Sequence, residues 1–419
     1  MQQYNWLFWL FAALYIAYSS VEILLDWLNL RHIEGHRGRI PALFEGKISP
    51  EDYQKSIAYT RAKTHYGWVK AAFDALLIWT MILGGFFHRF DLWIGQWLPM
   101  NSLAHQVAYP FAIGAIIYVV HLPFSLYHQF VLEENFGFNR SKLATFVLDQ
   151  IKGILLSLLL GVPLLALLFW LVPTLGDHWW LAAWGVLMGF QLLTAALFPV
   201  VFAPIFYKFT PLPEGELKAK LSELAAKVKF KMSGIFTIDG SRRSAHSNAF
   251  FAGLGKTRRI VLFDTLLKSL SSEEIVAVIA HEMGHNKRRH ILKGLVLSSA
   301  TTLASLFLLS QCLKWPTFFQ AFGVPEPSLQ SGFVIFGLLS SVFTFPFNPI
   351  FQWISRRNEY EADRFSVEVN GDRAGMVSSL IKLSRDNLSN LTPHPWYSFY
   401  HYSHPTTNER AEAIAALSN

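Results

Sequence analysis

The residues with the most explicit chemistry are His281-Glu282-Met283-Gly284-His285, an H-E-x-x-H run. On an α-helix, residues four apart stand one turn above each other on one face, so His281 and His285 can offer two imidazole nitrogens to a single ion. Glu282 then sits beside the ion as a candidate general base. The upstream residues supply the helix: Ser271-Ser272-Glu273-Glu274 reads as a capping box, and Ile275, Val276, Val278 and Ile279 follow at helical spacing. A catalytic zinc commonly takes three protein ligands and leaves a position for water. A third ligand is available in Glu359, and Asp363 lies four residues further along the same expected helix. Asp363 is placed to accept the far N–H of a ligating histidine and so fix its tautomer, while Glu361 points to another face. Acidic residues near the positive end of a helix are the plain alternative. The expected cofactor is Zn2+, one per chain.

These residues must be held by something, and composition says what. The chain has 419 residues, of which 52% are hydrophobic and only 16% charged, where soluble domains usually carry about a quarter charged. Such a chain lives largely in lipid. Its single cysteine, Cys312, excludes an internal disulfide framework and a cysteine zinc site. Seven apolar stretches are long enough to cross a bilayer core of about 30 Å. They lie near Trp6–Leu28, Val69–Phe87, Pro110–Phe130, Phe146–Val172, Trp180–Phe206, Ile291–Leu313 and Gly332–Trp353. The first is too long, and too poor in early basic residues, for a cleaved signal peptide, and is expected to remain as a span.

Positive charge alternates between the loops. The connections after the first, third, fifth and seventh spans carry most of the Lys and Arg, and those after the second, fourth and sixth carry one or none. The N-terminus is therefore expected outside, and the region around His281 and the C-terminus in the cytoplasm. The net charge of +7 reads as topology and contact with membrane lipids, not as nucleic-acid binding. Glu22, Asp26, Asp74, His121 and His128 fall inside or at the ends of expected spans, where ionisable groups either face an interior or reach for the interface.

The domain plan that follows is membrane helices one to five over 1–206, a cytoplasmic insert over 207–290, membrane helices six and seven over 291–355, and a cytoplasmic tail over 356–419. In the insert, Glu214–Val228 has the pattern of an amphipathic helix, and Gly234–Ile238 and Arg259–Phe263 read as strands, the second after a turn at Gly253–Gly255. Asn248 and Ala249 lie between them, either as an exposed strand edge able to pair with substrate backbone or as residues that shape a turn. In the tail, His404 and Arg410 are candidates for stabilising an oxyanion if the chain folds back over the site. His404 read plainly is an exposed residue in a proline-bounded turn.

Several longer motifs accompany the zinc pattern: Pro123–Tyr127 through Gly137-Phe138-Asn139, Phe209-Thr210-Pro211-Leu212, His246-Ser247-Asn248-Ala249, Arg259–Leu266, and His401-Tyr402-Ser403-His404-Pro405 with Arg410. With them the chain resembles, over essentially its full length, the integral-membrane zinc metalloproteases of the type I CAAX prenyl protease family. The resemblance implies an α-helical multi-pass protein, seven helices around an intramembrane chamber, closed on the cytoplasmic side by a small α+β zincin-like domain. It implies endoproteolysis near the C-terminus of a peptide or protein substrate, with or without an attached lipid. The stretch from His285 to Glu359 is short, and Ala415–Asn419 carries no recognisable retrieval signal, so the bacterial inner membrane is expected, or the endoplasmic reticulum if the source is eukaryotic. Two other readings remain at this point: a quality-control protease for membrane proteins, and a multi-span transporter or scaffold with a structural metal. Glu282 separates the last from the rest, since a structural site has no use for an acid between its ligands.

Overall fold

The computed structural model describes residues 4–253 and 258–417. The expected turn at Gly253–Gly255 and the last two residues of the chain fall wholly or partly outside that range. Among the described residues, six helical segments are long and apolar enough to cross a membrane: Trp6–His36, Pro50–Leu83, Leu103–Phe136, Leu143–Phe206, His290–Cys312 and Leu329–Asn370. Their surfaces confirm the solvent they are built for. On the first helix Phe8, Phe11 and Leu25 turn inward, while Trp9, Ile16, Ile23 and Leu24 are exposed, an inversion of soluble packing that lipid accounts for.

The segment at 143–206, where two spans are expected, is helical almost throughout. A straight helix of its 64 residues would be about 96 Å long, three times a bilayer core of about 30 Å. It is not straight. Leu143–Leu175 stops at Gly176, whose φ of 52° and ψ of −130° break the helix before Trp179–Leu197 resumes. Leu168 and Leu171 on the first arm then pack with Trp179 and Ala183 on the second, and with Leu306 and Leu309 of a third helix.

Other helices run past the expected span ends. The second begins at Pro50, capped by Ser49, whose hydroxyl accepts the Asp52 N–H. The first continues to His36. These polar extensions stand outside the lipid and carry charges such as Lys55 and Lys63 toward the soluble part. The third helix ends in a π-helical turn, His128–Leu132, followed by Glu133–Phe136 and a stop at Gly137 (φ 82°). Among the ionisable groups at membrane depth, Asp74 pairs with Lys70 (2.7 Å) and His121 (2.6 Å), and Asp26 accepts from Trp68 (2.8 Å).

The insert folds as an α+β unit. Strands β1 (Phe209–Pro211), β2 (Gly234–Ile238), β3 (Ala249–Ala252) and β4 (Arg259–Phe263) form one sheet in the order β1-β2-β4-β3. β2 and β4 are parallel and the other pairs antiparallel, which leaves β3 as a terminal strand. The amphipathic helix forms over Glu216–Lys227. Its Leu221 and Leu224 meet Ile260 and Leu262 of the sheet and Ile275, Ile279 and Met283 of the next helix in one core.

Candidate metal centre

The H-E-x-x-H run lies on a helix spanning Ser272–Lys287. Ser271 caps it, with the Ser271 hydroxyl accepting the Glu274 N–H and the Glu274 carboxylate accepting the Ser271 N–H. Glu274 also accepts from Ser378 (2.6 Å) and Lys382 (2.8 Å), tying the helix to the following tail helix, Arg373–Asp386. Ile275 through His281, Met283 and Gly284 are all buried. Arg289, in a left-handed conformation (φ 59°), separates this helix from the membrane helix His290–Cys312.

A second helix, Asn348–Asn370, crosses the first and carries Glu359 and Asp363. The crossing is close because of Gly284. A Cβ there would lie 3.0 Å from the Ala362 Cα, 3.1 Å from its carbonyl oxygen and 3.2 Å from the Phe365 Cβ. The Ser366 hydroxyl donates across the same contact to the Ala277 carbonyl (2.7 Å).

The crossing brings three side chains together. His281 Nε2 and His285 Nε2 are 3.1 Å apart, and Glu359 presents Oε2 at 3.4 Å from the first and Oε1 at 3.3 Å from the second. Four ligands around a tetrahedral ion with bonds of about 2.0–2.1 Å stand about 3.4 Å from one another, so this triangle has the dimensions zinc requires. The protonation pattern agrees. His281 Nδ1–H donates to Asp363 Oδ1 (2.7 Å), which leaves Nε2 as a lone pair. Among the described residues Glu359 Oε2 is buried without a hydrogen-bond partner, its nearest cation being Arg410 Nη1 at 3.7 Å, which leaves it able to accept a metal ion.

His285 is held by a route that spacing did not suggest. Its Nδ1 meets His290 Nδ1 at 3.0 Å, and His290 Nε2 meets Glu361 Oε2 at 3.0 Å. Glu361 can only accept, so His290 donates from Nε2 and accepts at Nδ1; His285 must donate from Nδ1, again leaving Nε2 free. Glu361, the acid turned away from the ion, thus orients the second histidine through the buried His290. The five-residue step from His285 to His290 was the available signal, hidden because Arg289 breaks the helix between them.

Glu282 lines a cavity of about 920 Å³ that also contains His281, His285, Glu359, His404 and Arg410. Burial pushes the Glu282 carboxyl up from its ordinary value, against the pull of the two imidazoles, toward the range in which a general base works near neutral pH. His404 faces this cavity with Nε2 3.5 Å from Glu359 Oε1, its Nδ1 beside Ser403 Oγ (2.9 Å). Arg410 lies deeper. Its Nε and Nη2 donate to both oxygens of Asp363 (2.8 and 2.6 Å), placing a cation behind the His281–Asp363 pair.

Asn248 and Ala249 line the same cavity. The Asn248 carbonyl accepts from Phe263 N–H (3.1 Å) and so faces inward; alternation along a strand turns the C=O of Ala249 to the free edge of β3, while the Ala249 N–H donates to Asn248 Oδ1 (2.8 Å). One residue earlier on that edge, Asn387 accepts the Ser247 N–H (3.1 Å) and donates to the Ser247 carbonyl (3.3 Å), acting as a substitute strand partner. Nothing in the local sequence around Asn387 signals this.

Comparison with known proteins places these features in context. Residues 29–208 match a family described as CAAX prenyl protease N-terminal, five membrane helices, and residues 211–418 match peptidase family M48. The chain is 36% identical over 390 residues to a CAAX prenyl protease 1 homolog from Oryza sativa subsp. japonica, covering 90% of each. With CAAX prenyl protease 1 of Saccharomyces cerevisiae it shares 34% over 437 residues, 96% of this chain and 94% of that one. The crystal structure of S. mikatae Ste24p superposes with a TM-score of 0.90 at 33% identity, covering 96% of this chain and 98% of the other.

Proposed function

From the premise that this chain belongs to the CAAX prenyl protease family, multi-pass membrane metallopeptidases of family M48, we propose a zinc endopeptidase that cuts prenylated peptides near their C-terminus with the residues described above. The observation that carries this reading is the triangle of His281, His285 and Glu359 with Glu282 beside it in one cavity.

Bound there, zinc would supply an acidified water and polarise the scissile carbonyl. Glu282 takes the proton from that water and returns it to the leaving amine. His404, on the cavity side of Glu359, donates to the oxyanion as it forms. Arg410 fixes Asp363, and Asp363 fixes the His281 ring. Ala249 offers its carbonyl to the substrate backbone along the edge of β3, while Asn248 holds the Ala249 N–H and joins the strand to β4 through Phe263.

Division of the 143–206 segment at Gly176 supports a reading of seven membrane passes. Basic residues flanking the spans support an orientation with the N-terminus outside and the centre at the cytoplasmic face. The compact His285–Glu359 connection supports the bacterial inner membrane as its location.

The test is cleavage of a farnesylated CAAX peptide and its unprenylated twin by protein purified in detergent, with Glu282→Ala alongside. The expected result is cleavage of the prenylated peptide, slower in the variant by roughly 10²–10⁴-fold, as for loss of a general base, although its zinc is retained. Equal cleavage of both peptides would move the substrate toward general membrane-protein turnover. Full activity in Glu282→Ala would sink the mechanism.

A further inference from the structure

The motif around Glu133–Asn139 is far from the metal ligands in sequence, yet it is built against the substrate edge. The Glu133 carboxylate accepts from Tyr59 OH (2.7 Å) through Oε1 and meets His246 Nε2 (3.2 Å) through Oε2. His246 stacks on Phe138 (ring centroids 3.8 Å) and its Nδ1 meets Asn387 Oδ1 (3.1 Å). The Ala245 N–H donates to the Phe138 carbonyl (3.0 Å). The membrane domain therefore fixes the chain that enters β3 at Ser247.

Two consequences meet at that point. Ala249, its N–H held by Asn248 Oδ1, offers its carbonyl to a substrate, but at the next outward residue, Ser247, both backbone groups are already paired with Asn387. A peptide lying antiparallel to β3 runs with its C-terminal end toward Ser247, and there the edge is closed. Past the residue opposite Ala249, only a few residues can follow before the peptide must end or turn.

Lys63 lines the same cavity as Ser247 and Asn387. Of the Lys and Arg residues lining it, Arg410 is committed to Asp363, whereas Lys63 is exposed to the cavity. Among the described residues its ammonium lies over the Tyr59 ring (4.1 Å) and makes no ion pair. Tyr59 is the residue that binds Glu133, so the frame that sets the edge of β3 also sets Lys63. Both oxygens of Glu133 are already engaged by Tyr59 and His246.

We propose that Lys63 and the closed edge at Ser247–Asn387 form a subsite for the free terminal carboxylate of the substrate, so that the enzyme measures its cut from the chain end. The subsite rests on the endopeptidase reading above and adds to it the group that is recognised.

The experiment compares one prenylated peptide as C-terminal acid and as carboxamide, with wild type, Lys63→Met and Lys63→Arg, following kcat/KM. Loss of a charge-assisted hydrogen bond corresponds to about 10- to 100-fold. Wild type should prefer the acid by about that factor. Lys63→Met should lose the same factor on the acid and none on the amide, and Lys63→Arg should restore the preference, which also shows that the helix tolerates substitution. Equal rates on acid and amide by wild type, an acid preference that survives Lys63→Met, or an equal loss on both peptides would each overturn the subsite. Cleavage of neither peptide by wild type would sink the endopeptidase reading itself, and the subsite with it.

Discussion

Gly284→Ala adds one methyl group where the two ligand-bearing helices cross. Its carbon would sit 3.0 Å from the Ala362 Cα and 3.1 Å from the Ala362 carbonyl oxygen, both backbone atoms that cannot rotate away. Carbon atoms in contact prefer about 3.5–4.0 Å, so the helices must part by about 0.5 Å. Glu359 rides on the displaced helix, less than one turn before Ala362, and the histidines ride on the other. A bond of about 2.0–2.2 Å to a common ion tolerates about 0.2 Å, so the three ligands can no longer meet it together. We expect zinc affinity to fall about 10- to 100-fold, as when the support of a ligand is removed, together with about 1–3 kcal/mol of packing strain. The assay is metal retained by purified protein against graded chelator, with thermal unfolding in the same detergent. Gly294→Ala is the control: it too lies in a helix, but no atom comes within 4 Å of its added carbon, and it should be neutral or stabilising by about 0.4–1 kcal/mol. Wild-type zinc affinity and melting in Gly284→Ala would refute the argument that this glycine sets the distance between the ligands.

Two further outcomes follow from contacts around the same helix. His290→Ala should reduce zinc retention about 10- to 100-fold by freeing the His285 tautomer; Glu361→Gln, whose amide oxygen still accepts from His290, should cost less, and equal retention in all three proteins would remove the chain Glu361–His290–His285 from the metal site. Glu274 is buried, which raises its carboxyl, but hydrogen bonds from Lys382 and Ser378 outweigh burial and hold it below its ordinary value. A carboxylate depressed in the folded state stabilises above its unfolded value of about 4.3 and loses that contribution as pH falls through the folded one. Glu274→Gln should therefore melt below wild type at pH 7, with the gap narrowing below about pH 4.5; a gap that is constant with pH would assign the effect to the cap alone.

What could be read in the sequence was local. His281 with His285, and Glu359 with Asp363, are pairs four apart, and helical geometry alone puts each pair on one face. Strands β2 and β4 appeared over the expected residues because their apolar runs have sharp borders. β1 escaped notice, being three residues long and ending in Pro211, a residue confined to sheet edges. The helical extensions to His36 and from Pro50 have no hydropathy signal, since they leave the lipid. His290 with Glu361, and Asn387 with Ser247, are joined only by folding; no spacing rule connects residues 71 or 140 positions apart.

The helix that delivers Glu359 is helical back to Leu329, with one 3₁₀ turn at Phe345–Phe347. From Leu329 to Glu359 that arm is about 45 Å long. As a lever anchored at its far end, it would swing Glu359 by about 0.8 Å for each degree of tilt, several times the slack of a metal bond. The histidines have no such arm, because Arg289 uncouples their helix from the membrane. The crossing at Gly284 therefore works as a clamp: it shortens the free lever to the three-residue step from Glu359 to the contact at Ala362, and insulates the chemistry from the rocking of a rod rooted in a fluid bilayer.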